Sequence, residues 1–310
     1  MDITLGSHPL LRSVEIRRGI IKPLENAFMA DVLFTKTSSN ALSIKYYQDA
    51  DRDEMNRTIY DMAPEIGEAS RFPRIGFSET EKQEFIRKYG VEAKITYEMQ
   101  RFANEASPIA RAFRKVRGAV LNTVDKMAYR VVTNQWGAGS DEVNRITPDI
   151  KWDNDDAGFT IFTKSMMEGI ATLEENGYYP DTVVINPSAF NAILSTTSFV
   201  SRMNNAPFFV SPSETAPELS RLKKRVMEYV GTNIQFIIDP NLVTPDGKKD
   251  TVIMCERGTI GEIADAIPLT AQTYNIEEEM TTVIRAFRFT TAYLTDPKAI
   301  VVFDDVCDTM

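Results

Sequence analysis

The longest regular pattern of hydrophobic and polar positions lies between Pro108 and Trp136. Apolar residues recur there every three or four positions, which is the period of one face of an α-helix. Ser107 followed by Pro108 is a typical helix start, and Gly137 stands where a helix stop is expected. The pattern predicts one helix over 108–136, roughly 43 Å long at 1.5 Å per residue. Its apolar stripe consists of Ile109, Phe113, Val116, Val120, Val124, Met127 and Val131.

A second pattern, the alternation of apolar and polar residues over 91–98, predicts a half-buried strand. Residues 41–47 predict another strand. The residues between these strands are rich in charge and turn formers, and they are too numerous for an ordinary connection in a compact domain. We therefore expect a long two-stranded excursion from the body of the protein. Such a hairpin is marginally stable in water by itself, so it needs a partner surface.

The rest of the chain predicts a mixed α/β block followed by long strands. Asn186 followed by Pro187 is a typical helix start that comes directly after a buried strand. In the strand at 282–294, alternation places Ile284, Ala286, Arg288 and Thr290 on one face. The remaining pattern predicts helices at about 159–176, 187–194 and 216–230, and strands at 182–186, 234–238, 251–255 and 299–303.

Composition and charge narrow the function classes. The chain has 310 residues, of which 43% are hydrophobic, and a formal net charge of −9. This is the composition of a globular protein, and the acidic balance argues against a dedicated DNA-reading domain. No apolar run approaches the roughly 18 residues of a transmembrane helix. We therefore expect a soluble protein made in the cytoplasm, with no membrane partner.

The residues needed for common catalytic and metal sites are missing. His8 is the single histidine, which excludes zinc motifs that need two. The two cysteines, Cys255 and Cys307, form no C-x-x-C motif, so a reducing compartment fits best. We expect Cys255 to be a core residue and Cys307 to be an exposed thiol. The glycine-rich phosphate loop, the dinucleotide fingerprint and the nucleophile elbow are also missing. We therefore predict no enzyme activity, no catalytic residues, no cofactor and no metal.

The predicted long helix is the basic part of this acidic chain. Six basic residues face a single acid, Asp125, over 108–136, which gives a net charge of 6 − 1 = +5. One interpretation is an ordinary solvated helix face. The other is a surface that faces a polyanion, to which such charge adds a salt-dependent and sequence-independent attraction. The six candidate residues are Arg111, Arg114, Lys115, Arg117, Lys126 and Arg130.

The order of these elements resembles the major capsid protein of tailed bacteriophages, which has the Hong Kong 97-type fold. The resemblance is carried by the long helix together with four segments and by the order in which they occur. They are GEASRFPRIGF (67–77), KYGVEAKITYEM (88–99), TVVINPSAFNAIL (182–194) and DPKAIVVF (296–303).

The resemblance implies an α+β fold with an N-terminal arm, an extended β-hairpin loop, a peripheral domain with a long spine helix, and an axial domain. Its expected boundaries are an arm at 1–30, the loop with its base strands at 31–104, the spine-helix part of the peripheral domain at 105–157, most of the axial domain at 158–270, and the peripheral return strands at 271–310.

The resemblance also implies a function: a major capsid protein that self-assembles through pentamers and hexamers into an icosahedral shell around double-stranded DNA. The basic helix would face that DNA non-specifically. Further expected partners are a separate scaffolding protein and a portal, with assembly in the host cytoplasm and a final place in the virion. The extended loop would lie over a neighbouring subunit, and its candidate contact residues are Arg52, Arg57, Glu68, Arg71, Phe72, Arg74 and Phe77.

Two departures and two alternatives accompany this interpretation. We expect the body of the protein to begin near residue 30, and the sequence shows no long cleaved scaffolding segment of the kind that many relatives carry. Either the chain is a mature product or a separate scaffold protein guides assembly. No lysine of the loop matches the cross-linking chemistry of some relatives, so we expect no covalent cross-link. One alternative within the same fold is an encapsulin-like compartment that encloses enzymes. The other, from a different class, is a soluble α/β ligand-binding protein or enzyme.

Overall fold

Two β-sheets and one long helix organise the chain. The computed structural model describes residues 28–49, 79–101, 108–133, 143–197, 234–244 and 247–308. In chain order these residues form α1 (Ala30–Leu33), β1 (Thr35–Ser38), β2 (Ser43–Asp49), β3 (Glu79–Phe85), β4 (Arg87–Thr96), α2 (Tyr97–Arg101), α3 (Pro108–Val132), β5 (Asn144–Ile146), α4 (Gly158–Glu175), β6 (Thr182–Ile185), α5 (Pro187–Ser195), β7 (Gln235–Ile238), β8 (Val252–Cys255), β9 (Gly261–Ile276), β10 (Thr281–Leu294), a short 3₁₀ helix (Pro297–Ala299) and β11 (Ile300–Phe303).

The first sheet has four strands in the order β1-β9-β10-β4. β10 is antiparallel to both β9 and β4, and β1 adds to β9 in parallel. Ile284 and Ala286 of β10 and Ile95 of β4 belong to the same buried cluster as the apolar stripe of α3. The sheet therefore supplies the surface on which α3 packs, and burial of this shared area stabilises both.

The second sheet has five strands in the order β5-β11-β8-β6-β7, and it is buried on both faces. Val302 of β11 points into the cluster shared with α3, whereas its neighbours Val301 and Phe303 point into a second cluster with α4 and α5. Trp152 is the largest side chain of the second cluster, and its ring contacts Phe162 and Phe303 at centroid distances of 5.1 and 5.6 Å. Alternation along each strand thus joins two cores.

The helix α4 approaches this sheet very closely. A Cβ atom placed on Gly169 would lie only 2.6 Å from the Cζ atom of Phe303. The missing side chain therefore sets the distance at which α4 packs on β11. By contrast, a Cβ atom on Gly118 of α3 would meet nothing within 4 Å.

A two-stranded ribbon leaves the first sheet. β2 and β3 are antiparallel, from Ser43 opposite Phe85 to Asp49 opposite Glu79. This confirms that a two-stranded excursion begins at β2, but its return strand is β3. The predicted return strand at 91–98 is wrong, because those residues belong to β4, which pairs with β10 in the first sheet. Residues 50–78 lie outside the described part.

Most predicted elements in the described residues are confirmed, with local differences. The long helix is described as far as Val132, and Asn186 caps α5 by accepting a hydrogen bond from the Ser188 amide at 2.9 Å. β9 was missed by the sequence analysis. The predicted helix at 216–230 lies outside the described residues.

Two further expectations need comment. Cys307 is not an exposed thiol: its side chain packs in the second core and is 1% exposed. β11 pairs with β5 and β8 in the five-stranded sheet, away from β10, with which the sequence analysis grouped it as a return strand. Its hydrophobic run, buried on both faces, is the physical reason. The proposed division into arm, loop, peripheral and axial domains stays a prediction.

Candidate DNA-facing and subunit-contact surfaces

The basic side chains of α3 form an exposed surface on its N-terminal half. Arg111, Arg114 and Lys115 are exposed, and Arg117 is half-buried. At 100° per residue, the three exposed side chains lie roughly opposite the apolar stripe, which faces the sheet. The structure therefore brings this part of the predicted set together. We call Arg111, Arg114, Lys115 and Arg117 the basic surface.

The C-terminal half of α3 is buried on a second face as well. Asp125, Ala128, Tyr129 and Val132 are all buried there, although Asp125 and Tyr129 lie on the side opposite the stripe. The segment 28–34, which contains α1, packs over this side. Of the remaining predicted residues, Lys126 is exposed and Arg130 is half-buried, on one flank of the helix. The continuous basic surface is therefore shorter than the sequence indicated.

The segment 28–34 is fastened to the first sheet by a buried arginine. Arg288 of β10 donates to both carboxylate oxygens of Asp265 at 2.9 Å and to Asp31 of α1 at 2.8 Å. Its guanidinium carbon lies 4.9 Å from the centroid of the Phe28 ring. Two carboxylates and an aromatic face thus compensate the charge that the fold buries, and the pKa of Arg288 is raised although burial opposes this.

The same segment is fastened to α3 by a buried carboxylate. Asp125 accepts a hydrogen bond from the Ala30 amide at 3.1 Å, at the start of α1. One helical turn further along, the Tyr129 hydroxyl donates to Asp239 at 2.5 Å. Asp239 follows β7, so these two bonds connect segment 28–34, the long helix and the five-stranded sheet. Sequence reasoning counted Asp125 only as a charge and missed this role.

The β2–β3 ribbon has two unlike faces. On one face Tyr46 stacks against Tyr293 of the first sheet. Tyr47 and Phe85 share the opposite face, because Ser43 lies four positions before Tyr47 on β2 and therefore points the same way, and Ser43 pairs with Phe85. Tyr47 is 58% and Phe85 60% exposed. Two large apolar side chains thus project to solvent from one face of a narrow ribbon. The seven predicted loop contacts all lie outside the described residues.

The described residues contain neither a cluster of metal ligands nor a reactive thiol. No group of three His, Cys, Asp or Glu side chains in this part of the chain could hold a metal ion. Burial raises the pKa of both thiols, Cys255 and Cys307, to about 12, so both stay protonated and unreactive near neutral pH. Within the same residues, no helix is long and apolar enough to cross a membrane.

A family model described as phage capsid protein matches residues 79–303, which include the long helix, the five-stranded sheet, three of the four strands of the first sheet and the return strand of the ribbon. The chain belongs to the phage capsid protein family. It is thus a structural protein of the bacteriophage head: a capsid shell protein that associates with copies of itself and resides in the virion capsid. A search of the curated proteins gives no match.

Solved structures establish the fold of this capsid protein. It is 12% identical to a phage-related protein from Bordetella bronchiseptica RB50, over 94% of this chain and 96% of that chain, with a TM-score of 0.61. It is 10% identical to the capsid protein of the cyanophage P-SCSP1u, over 90% of this chain and 86% of that chain, with a TM-score of 0.57. It is 11% identical to the SrpI encapsulin of Synechococcus elongatus PCC 7942, over 97% of this chain and 98% of that chain, with a TM-score of 0.50. The capsid protein thus has the expected α+β fold of Hong Kong 97 type.

Proposed function

We propose that this capsid protein assembles through pentamers and hexamers into an icosahedral shell that encloses double-stranded DNA. The observation that carries the proposal is the β2–β3 ribbon, whose outer face holds the exposed Tyr47 and Phe85. A ribbon with such a face has no core of its own, so a second copy of the chain is the partner that would cover it. Repeated contacts of this kind between unlike surfaces close into rings and shells.

The proposal places the basic surface of α3 on the inner side of the shell, towards the DNA. Arg111, Arg114 and Lys115 are exposed and lie away from the sheet on which α3 packs. Their attraction to phosphates is independent of base sequence, which suits a shell that encloses any genome. The overall charge of −9 keeps the rest of the subunit acidic.

The proposal extends to the partners and place of assembly that the resemblance implies: a separate scaffolding protein, a portal and the host cytoplasm. The shell protein acts structurally in this proposal, with no catalytic residues, cofactor or metal. An encapsulin-like compartment is the second candidate, favoured by the likeness in fold to the SrpI encapsulin. The basic surface favours the DNA-filled shell over it. Family membership lends no support to a soluble ligand-binding protein.

The test is negative-stain electron microscopy of the purified protein, with a neighbouring scaffold gene co-expressed if one exists. We expect closed shells, or rings of five and six subunits, and shells from infected cells should contain DNA. Replacing Tyr47 and Phe85 by aspartate should abolish the particles, whereas Tyr47→Phe should keep them. Compact monomers from the wild-type chain, even with scaffold present, would contradict the proposal, and shells filled with protein would favour the compartment.

A further inference from the structure

Asp125 and Asp239 are two buried carboxylates at one junction of the fold. Asp125 is 1% and Asp239 6% exposed. In the described part of the chain, neither forms an ion pair with a lysine or arginine. Their bonds come from uncharged donors instead: the Ala30 amide for Asp125, and the Tyr129 hydroxyl and the Asn241 amide for Asp239. A buried charge without a cation is costly, so this junction is sensitive to protonation.

Two carboxylates face Asp125, and one of them, Asp31, is itself paired with Arg288 and Lys36. Asp31 faces it from α1, Asp239 from the end of β7, and Tyr129 lies one turn away on α3, itself facing Cys255 of β8. Burial is the largest cause that raises the pKa of Asp125, to about 7, and the charge of Asp239 adds to it. The hydrogen bond from Ala30 acts in the opposite direction and does not offset the burial.

The geometry gives this carboxyl a specific mechanical role. α1 begins at Ala30 without a side-chain cap from its own residues, and Asp125 accepts the amide hydrogen bond there instead. A protonated carboxyl can still accept that bond through its carbonyl oxygen. It does so without placing a negative charge beside Asp239. The bond that holds segment 28–34 to α3 is therefore retained on protonation, while the repulsion is removed.

We propose that Asp125 is a proton-dependent latch that fastens segment 28–34 to the junction between the long helix and the five-stranded sheet. The latch is tightest with a neutral carboxyl and loosens as the carboxyl takes its charge. Since the pKa is higher in the folded chain than the roughly 3.9 of an unfolded one, the stabilisation is full below that lower value. It is lost progressively as the pH rises to about 7. This inference concerns the single subunit and does not rest on shell assembly.

The test compares the pH dependence of unfolding in the full-length wild-type chain and in Asp125→Asn, which keeps an acceptor oxygen but cannot ionise. Between pH 5 and 6.5 the folding equilibrium constant of the wild type should fall roughly tenfold per pH unit relative to the variant. Asp156→Asn, at an exposed aspartate, is the control and should follow the wild-type profile. Parallel profiles for wild type and Asp125→Asn would overturn the proposal. Light scattering at each pH separates this effect from assembly.

A second measurement needs only the wild-type chain and decides the matter if the variant does not fold. Hydrogen–deuterium exchange of the peptide covering 28–34, corrected for the intrinsic pH dependence of exchange, should be slower at pH 6 than at pH 8. A reference peptide from β8, which contains no titrating carboxylate, should change much less. Equal protection of 28–34 at both pH values would contradict the latch.

Discussion

Tyr46 of the β2–β3 ribbon stacks on Tyr293 of β10, with ring centroids 4.5 Å apart and planes inclined by 26°. Tyr293 is held in place by its own hydroxyl, which donates to Glu262 of β9 at 2.5 Å. The hydroxyl of Thr37 on β1 donates to the same carboxylate at 2.9 Å. The start of the ribbon therefore packs on an aromatic side chain, Tyr293, whose position on the first sheet is fixed by hydrogen bonding.

Loss of the stacking contact between Tyr46 and Tyr293 should make the ribbon more mobile without unfolding the subunit. An aromatic pair contributes about 0.5–1.5 kcal/mol beyond its buried area, so Tyr46→Ala should speed hydrogen exchange in β2 and β3. Exchange in β8 and β11 should stay unchanged. Tyr46→Phe keeps the stack and serves as the control. If alanine and phenylalanine give the same exchange in the ribbon, the stack does not orient it.

Arg288 should contribute far more to the stability of the fold than Lys36, the exposed cation that also pairs with Asp31. Arg288→Ala leaves Asp31 and Asp265 without their buried cation, and such a loss costs about 3–5 kcal/mol. Lys36 also pairs with Asp31, at 2.9 Å, but its side chain is 53% exposed. Lys36→Ala should therefore cost at most about 1 kcal/mol. Denaturant unfolding of both variants measures the difference, and similar losses would show that Arg288 is not the main anchor.

Two helical glycines should respond in opposite ways to alanine. Gly169→Ala places a Cβ atom against the Phe303 ring, and overpacking of this kind costs about 1–3 kcal/mol. Gly118→Ala meets no neighbour and should stabilise the helix α3 by up to about 1 kcal/mol. Thermal unfolding of each variant shows whether its stability falls or rises relative to the wild type. The double variant Gly169→Ala, Phe303→Leu should recover part of the loss, and a failure to recover would point to a cause other than this contact.

Reversal of the basic surface should separate assembly from DNA retention. With Arg111, Arg114 and Arg117 all replaced by glutamate, shells should still form, because none of these side chains is fully buried. DNA binding should weaken, and its logarithmic salt dependence should fall by roughly 0.9 per lost phosphate contact. In the charge-matched control, glutamate replaces three lysines outside α3: Lys164, Lys248 and Lys249. Genome-filled heads with normal DNA content from the first variant would refute a DNA-facing role.

Local features of the fold were predictable from the sequence, and the long-range ones were not. The period of α3 and the capping pair Asn186-Pro187 are encoded by neighbouring residues, so the pattern alone reveals them. β9 lacks a clean alternation, and its pairing with β10 shifts register near Ile267. Without that period, a strand is difficult to recognise in the sequence.

The buried polar contacts escaped prediction for a different reason. Alternation placed Arg288 on the same face as Ile284 and Ala286, but it could not reveal that Asp31, 257 residues away, would pair with it. Likewise Asp125 is on a charged side of the helical wheel. It is buried because segment 28–34, about a hundred positions earlier, covers it. A periodicity describes one element and contains no information on which distant segment packs over it.

The position of β11 has a consequence for how the subunit is made. This strand lies between β5 and β8, within the five-stranded sheet, and it also divides the two cores. On the ribosome, the five-stranded sheet and the second core cannot be completed before residue 303 has emerged, although α3 and the first strands were synthesised long before. Contacts so distant in sequence form slowly, and the unpaired strand edges meanwhile remain exposed to aggregation. A nascent subunit therefore becomes competent to join its neighbours in one late step, not gradually during its synthesis.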